Sequence, residues 1–358
     1  MKKQFKNILI IIQRSNGDVF FSSGLISSLH DYYPESSIDL LVNDDTYAIA
    51  KLLPYVKNII TFSYDEKKRN RLHQEKTIIR RIFKKYDLSI CLTASDRSVL
   101  YSSLASNFSI SAIEKDYKKS WWKRLALKKS YFFDTSKHIL INNYQALDIL
   151  NIDYKKVHPE IKLSEKTLNK VKTLLNEKRI NEFLIFHPSA QYEYKIYPKK
   201  LRDKLFELLS SLNFSIVVTG GSGYLDKKIE KELPKNQNIH SLIGATSLED
   251  YFALSYLSSG YIGMDTLNMH IAASQNKKIF AIFGPTNIRM WSPWSNISQR
   301  CASKDQPIQS YDNIKIFQAD LPCVACGKAG CDDNHGRSEC LNMIDPKTIF
   351  CEIKNSLI

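Results

Sequence analysis

Short apolar runs alternate with helical patterns from one end of this chain to the other, and that alternation narrows the fold more than any other feature. Strands covered on both faces read as continuous apolar stretches, and parallel neighbours need a crossover, usually a helix, between them. In the first half the expected strands are Asn7 to Ile12, Ser37 to Val42, Asn58 to Thr61, Leu88 to Leu92 and His138 to Ile141. In the second half they are Phe183 to Phe186, Phe214 to Thr219, Ile239 to Leu242, Tyr261 to Met264 and Ile279 to Phe283. Leu201, Leu205, Leu208, Leu209 and Leu212 hold one face of an intervening helix, and Ser247 with Asp250 opens another as a capping box. The pattern predicts an α/β protein of two Rossmann-like, doubly wound domains whose ligands meet the carboxyl ends of the strands. Residues 151–181 are polar, and Leu163 to Asn176 reads as a solvated helix. The expected organisation is a domain over 1–160, a linker region over 161–180, a domain over 181–345 and a C-terminal helix or tail over 346–358.

With 358 residues, 43% of them hydrophobic, the chain has material for two cores, which excludes a disordered or disulfide-scaffold protein. The longest apolar runs, such as Ile8 to Ile12, are far short of the ~20 residues of a membrane span. None of the 12 glycines falls in a G-x-G-x-x-G or Walker loop. The start, MKKQFKNILIII, resembles an export signal only weakly, so the seven cysteines are expected to be mostly thiols in a cytosolic protein.

The formal charge of +14 is concentrated. Residues 67–85 carry nine Lys/Arg, among them Lys67, Lys68, Arg69 and Arg71, against one acid; residues 115–129 carry seven, including Lys123 and Arg124, against one. An anionic partner is therefore expected on the N-terminal half. Leu72, Ile79, Ile82 and Phe83 recur at helical spacing behind the first run, and Trp121 and Trp122 lie within the second. Basic residues interleaved with interfacial aromatics suit a phosphorylated glycolipid at a membrane surface; a solvated face over buried tryptophans is the plainer reading. No nucleic-acid module is recognisable, so nucleic acid is not expected.

Chemistry is suggested at the strand ends. Arg14-Ser15-Asn16-Gly17-Asp18 follows the first strand, with a helix expected from about Ser22. Asp18 there can accept a proton from an incoming hydroxyl, or simply cap a helix. His187-Pro188-Ser189-Ala190 leads to Lys195-Ile196-Tyr197-Pro198, where a fixed cation could hold a phosphate. Asp265-Thr266-Leu267-Asn268-Met269-His270 turns a strand into a helix, whose first N–H groups favour a diphosphate. Thr219-Gly220-Gly221-Ser222-Gly223 and Gly284-Pro285-Thr286 close two further strands.

These motifs, with Leu242-Ile243-Gly244-Ala245-Thr246-Ser247-Leu248, occur in one order that resembles the family 9 glycosyltransferases, the ADP-heptose:lipopolysaccharide heptosyltransferases. The resemblance implies the GT-B architecture, with an acceptor-binding N-terminal domain and a donor-binding C-terminal one. It implies inverting transfer of a heptose from ADP-heptose to the lipopolysaccharide inner core or a lipid A precursor, with no cofactor required, at the inner face of the cytoplasmic membrane. Carried over by position, Asp18 is the general base and Lys195 grips the donor phosphates. Ser189, Gly220, Gly221, Asp265, Thr266, Leu267 and His270 line the donor site. Arg14, Lys67, Lys68, Arg69, Arg71, Lys123 and Arg124 are the candidate acceptor contacts.

Two positions depart from the family pattern. Leu267 stands where Gly or Ala is usual and could crowd the sugar, and Asn16 replaces an apolar residue. A nucleotide-sugar epimerase or hydrolase of the same architecture, or a non-catalytic glycolipid-binding protein, are the alternative readings. Finally, Cys323-x2-Cys326-x4-Cys331-x8-Cys340 is dense enough for a structural zinc site with four thiolates, although free thiols or a conditional bridge fit the later gaps as well.

Overall fold

The computed structural model describes residues 4–154, 156–159 and 161–357. The chain divides into two compact units, one ending at Lys162 and the other beginning at Leu163.

In the first unit β1 (Asn7–Ile12) is followed by α1 (Asn16–Phe20) and α2 (Ser23–Tyr32), then β2 (Ser37–Asn43), α3 (Tyr47–Ala50), β3 (Val56–Phe62) and α4 (Tyr64–Ile82). The second half of the winding is β4 (Leu88–Cys91), α5 (Asp96–Ala105), β5 (Ser109–Ile113), α6 (Tyr117–Ala126), β6 (Lys129–Phe132) and α7 (Ile139–Leu150). The six strands are parallel in the order β3-β2-β1-β4-β5-β6. The order reverses between β1 and β4, which puts the switch point beside the loop carrying Asp18.

The second unit opens with α8 (Glu165–Glu177) and continues β7 (Phe183–His187), α9 (Lys199–Leu209), β8 (Ser215–Val218), α10 (Tyr224–Lys231), β9 (Ile239–Ser241), α11 (Leu248–Leu257), β10 (Gly260–Met264) and α12 (Leu267–Ser274). It ends with β11 (Lys278–Ile282), α13 (Ile288–Trp291), β12 (Ile308–Tyr311), β13 (Ile314–Phe317), α14 (Glu339–Asn342) and α15 (Pro346–Leu357). The sheet runs β12-β13-β11-β10-β7-β8-β9, with β12 antiparallel at one edge. Alternate residues of its central strands, Leu184, Phe186, Ile216, Val218, Ile262, Phe280 and Ile282, pack against Leu205, Phe206 and Leu209 of α9 and Ile349 and Ile353 of α15. Each such side chain contributes about 1.5–3 kcal/mol by leaving water.

Several expectations are corrected. His138–Ile141 is not a strand: His138 caps α7, its imidazole accepting the Leu140 N–H at 3.3 Å, and the places beyond β4 in the sheet are taken by β5 and, at the edge, β6. The helix expected near Ser22 is present as α2, with Ser22 at its N-cap, and a short helix, α1, that the sequence reading did not anticipate precedes it from Asn16. The 161–180 stretch is no linker, because α8 buries Thr167, Val171 and Leu175 and packs on α11. The segment from 346 is a helix, one of the two forms expected for it, and α15 supplies core through Ile349 and Ile353. In α4, Leu72 and Phe83 are exposed while Ile78 and Ile82 are buried. The helix also carries a kink at Asn70 (φ −150°, ψ 62°), ahead of all of these positions, and it ends at Ile82 with Phe83 as its C-cap. The capping box at Ser247 and Asp250 is present as expected.

Candidate functional site

Asp18 occupies the third position of α1, where it closes a capping box with Ser15. Its Oδ2 accepts the Ser15 N–H at 3.2 Å and the Ser15 hydroxyl at 2.6 Å. The Arg14 Nε lies 3.1 Å from the other oxygen. The two sequence readings of Asp18, cap and reactive carboxylate, are therefore not exclusive. The side chain is buried, and that burial raises its pKa above the ordinary carboxylate value against the opposing pull of Arg14 and Ser15. A carboxylate made more basic in this way takes up a substrate proton more readily.

Around it the strand ends converge. Gln13 donates its N–H to Thr93 at 3.0 Å and accepts the Ser98 hydroxyl at 2.8 Å. Asn43, ending β2, donates to the Arg14 carbonyl at 3.3 Å. Arg14 also lies over the Phe133 ring, 5.2 Å from its centroid, and Arg97 lies 3.6 Å over Phe62. Sequence reasoning passed over Arg97 and Asn43. Asn43 ends β2 and Arg97 stands in the first turn of α5, and it is the strand order that brings them to the loop after β1, where Asn43 meets Arg14 and Arg97 meets Gln13.

The expected surface cations separate into two groups. Lys68, Arg69 and Arg71 are exposed on α4, and Lys67 is half-buried with its ammonium over Tyr64. Arg124 is exposed on α6, over Tyr117 and Phe132. Lys123 is not a surface cation at all. It is fully buried, donating to the Ala94 carbonyl at 2.5 Å and to Glu114 at 2.8 and 2.9 Å, with Asp96 at 2.8 Å. Its neighbours on the helix made it look solvent-facing, but the carboxylates that hold it come from other elements.

In the second unit, Lys195 ends a short turn after β7, and its ammonium stands 3.3 Å from Asp265. Asp265 precedes Thr266, the N-cap of α12, and Leu267 is the half-buried first residue of that helix. The opening N–H groups of a helix lack partners within it. Burial pushes His270 down to about 4, Asp265 opposing and Lys195 reinforcing, so its imidazole is neutral. His187, at the end of β7, is likewise held down to about 4 by burial. Its Nδ1 sits 3.0 Å from the Thr219 hydroxyl and 3.0 Å from the Asn268 amide.

Ser189 is buried just beyond β7. Gly220 and Gly221 are covered by the Asp226 carboxylate, so a Cβ at Gly220 would meet Asp226 Oδ1 at 2.7 Å. Gly263 (φ +155°) lets β10 approach β7 so closely that a Cβ there would stand 2.4 Å from the His187 carbonyl. Asp226, His187 and Asn268 thus join the expected residues. Asp226 lay hidden in a helix start and Asn268 in the first turn of α12. Asp265, Thr266 and His270 do not line the cavity of about 450 Å³ in this unit, which is bounded by Tyr197, Arg202, Lys228, Glu232 and Arg337.

All four cysteines of the C-terminal run are free thiols. Among the described residues no group of three or more His, Cys, Asp or Glu side chains is arranged to hold a metal ion. No described helix is long and apolar enough to cross a membrane.

Two parallel doubly wound sheets, one with a buried carboxylate at its switch point and the other with a cation and a helix start at its strand ends, define a glycosyltransferase of the GT-B class. The chain belongs to glycosyltransferase family 9 (heptosyltransferase), whose family model matches residues 53–318. It is 25% identical over 323 residues to lipopolysaccharide heptosyltransferase 3 of Escherichia coli K12, covering 86% of this chain and 92% of that one. It is 24% identical over 355 residues to lipooligosaccharide heptosyltransferase 2 of Campylobacter jejuni strain NCTC 11168, covering 95% of each. Among solved structures, E. coli ADP-heptose lps heptosyltransferase II matches 98% of both chains with a TM-score of 0.72 at 17% identity. E. coli heptosyltransferase WaaC with ADP matches 98% of this chain and 99% of that one with a TM-score of 0.72 at 14% identity.

Proposed function

We propose that this enzyme transfers a heptose from an ADP-activated donor to the inner core of lipopolysaccharide, inverting the anomeric carbon in a single displacement. The observation that carries the reading is Asp18, a buried carboxylate of raised pKa at the switch point of the first sheet. It takes the proton of the attacking acceptor hydroxyl. Lys195, the opening N–H groups of α12 and the hydroxyls of Ser189 and Thr266 neutralise the departing diphosphate. Gly220, Gly221 and His270 shape the donor pocket, and Leu267 narrows it toward the sugar. The division of labour asks for no metal in the displacement, so activity persists when magnesium and manganese are chelated.

Arg14, Lys67, Lys68, Arg69, Arg71 and Arg124 meet the phosphorylated acceptor, which is presented at the cytoplasmic face of the inner membrane. Tyr117, Trp121 and Leu125, all exposed and four residues apart on α6, form a ridge flanked by Lys118, Lys119, Lys128 and Lys129. Such a ridge suits an anionic interface. The test is a panel of nucleotide sugars assayed with truncated lipopolysaccharide acceptors, the product being read by mass spectrometry. A heptose added only when both substrates are present supports the reading; turnover of donor without acceptor, or no turnover of any donor, refutes it.

A further inference from the structure

The cavity of about 450 Å³ in the second unit is lined by none of the residues assigned to the donor. Its volume falls within the ~300–1,000 Å³ of small-molecule sites. One wall is the chain entering α9, from Ile196 to Lys200, with Arg202 one turn on. A second is the face of α10 that carries Leu225, Lys228 and Ile229. The third is Arg337 and Ser338, just ahead of α14.

Arg202 is the buried cation of the lining. It is only 3% exposed, and burial lowers its pKa against the pull of Glu232. Among the described residues it makes one hydrogen bond, from Nη2 to Glu232. A guanidinium carries five N–H donors, so most of them meet no group of this chain. Ser338 is 4% exposed, and its hydroxyl is buried without a hydrogen-bond partner. Buried polar groups are almost always satisfied. Two that are not, on the wall of one cavity, mark a place for something the chain does not itself supply.

The charge around them has a definite sign. Five lining side chains are cationic and two are carboxylates. Both carboxylates are taken, Glu232 by Arg202 and Glu193 by Lys228 at 3.3 Å, while Lys199 pairs with Asp203 along its own helix. Lys200 and Arg337 have no such partner among the described residues. The N-cap of α9 is Pro198, which has no side-chain acceptor, so the opening N–H groups at Lys199 and Lys200 stand uncapped on the same wall. Ile196, Leu225 and Ile229 give the cavity an apolar part as well.

We propose that this cavity is a second ligand site, which takes a phosphate monoester of a small organic molecule. Arg202, Lys200 and Arg337 hold the phosphate with the Ser338 hydroxyl, and the organic body lies on Ile196, Leu225 and Ile229. Guanidinium forks match phosphate oxygens in pairs, and a monoester charge of about −1.5 to −2 at neutral pH balances the two unpaired cations. Glu193 and Ile196 flank Lys195 in the chain, so whatever fills the cavity bears on the turn that presents the phosphate grip. The ligand is therefore an effector of donor binding rather than a substrate. That role rests on the reading of Lys195 given above, whereas the site itself does not.

The experiment is calorimetry on the full chain with three probes: phenyl phosphate, inorganic phosphate and benzoate. Phenyl phosphate should bind one per chain and at least about tenfold more tightly than either of the others, since only it offers both phosphate and body. Equal affinity for inorganic phosphate or for benzoate overturns the ligand class, and no heat from phenyl phosphate overturns the site. A Lys200→Ala/Arg337→Ala double variant should weaken phenyl phosphate by about tenfold or more. Both side chains are exposed, so its melting should match wild type. Lys204→Ala, on α9 but outside the cavity, should bind as wild type does; unchanged affinity in the double variant overturns the site. ADP is then titrated at rising phenyl phosphate. A shift in ADP affinity of about fivefold or more that levels off marks two coupled sites. A shift that grows without limit marks competition for one site and overturns the proposal, and no shift overturns the effector role. If ADP itself fails to bind, the donor reading falls while the direct phenyl phosphate titration still decides the site.

Discussion

Replacing Asp18 by asparagine separates what this residue does for the reaction from what it does for the fold. The amide keeps an oxygen able to accept the Ser15 N–H and hydroxyl, so the cap of α1 survives. It loses the Arg14 pair, because the amide nitrogen and the guanidinium are both donors. It also removes a charge from a buried position. The direction of the shift at Asp18 shows that burial outweighs Arg14 and Ser15 together, so above the raised pKa the neutral amide is the easier group to bury. For an acid whose folded pKa is raised, the stabilising contribution is complete below the unfolded value near 3.8 and is lost as pH rises through the folded value. Asp18→Asn should therefore melt at or above wild type at neutral pH, each ~1 kcal/mol being worth about 2–4 °C in a domain of this size. The gap should close as the pH approaches 4. Transfer, by contrast, should drop by about 10²- to 10⁴-fold, the usual contribution of a positioned base, with donor affinity unchanged. Stopped-time transfer assays, calorimetry with ADP and thermal melts across pH supply the three readouts. Activity within about tenfold of wild type would falsify the assignment of the base.

The other expectations concern the remaining buried charges and histidines. Lys195→Ala removes a charge-assisted contact to phosphate and should weaken ADP binding by about 10- to 100-fold, or roughly 1.4–2.7 kcal/mol, in a titration; equal affinity would remove Lys195 from the donor site. Lys123→Met keeps the aliphatic stem but orphans the Ala94 carbonyl, Glu114 and Asp96. Both carboxylates reach solvent, so the cost should be about 1–3 kcal/mol rather than the ~3–5 of a sealed pair, read as a lowered Tm. His187 and His270 are held down to about 4 in the folded chain, whereas unfolded they take up a proton near 6.5. The second unit should consequently lose stability as pH falls from about 6.5 to 4, and a His187→Gln variant should flatten that slope in melts.

The strands of both sheets were legible where they formed continuous apolar runs, as in Asn7–Ile12 and Phe183–His187, because burial on both faces leaves a composition that loops do not share. β5, with Ser109 and Ser111 among its five residues, lacked that signature, as did β12 at a largely exposed edge and β13, whose four residues are broken by Lys315. His138–Ile141 misled because a short apolar run suits a buried helix start as well as a strand. Of the residues proposed for the site, Asp18, His187, Lys195, Asp265 and His270 stand within the sequence motifs. Arg97, Asn43 and Asp226 do not, since what draws them in is the neighbouring strand or loop rather than any local spacing. Lys123 failed for the opposite reason: its spacing fitted an outward face, and only partners up to 29 residues away reveal the interior.

Each unit keeps its proposed reactive charge beside a counter-ion of its own, Arg14 at Asp18 and Lys195 at Asp265. At rest, then, neither the base nor the phosphate grip is a naked group inviting stray chemistry. An incoming substrate must first displace or share a partner already in place, which builds a threshold into both halves of the enzyme.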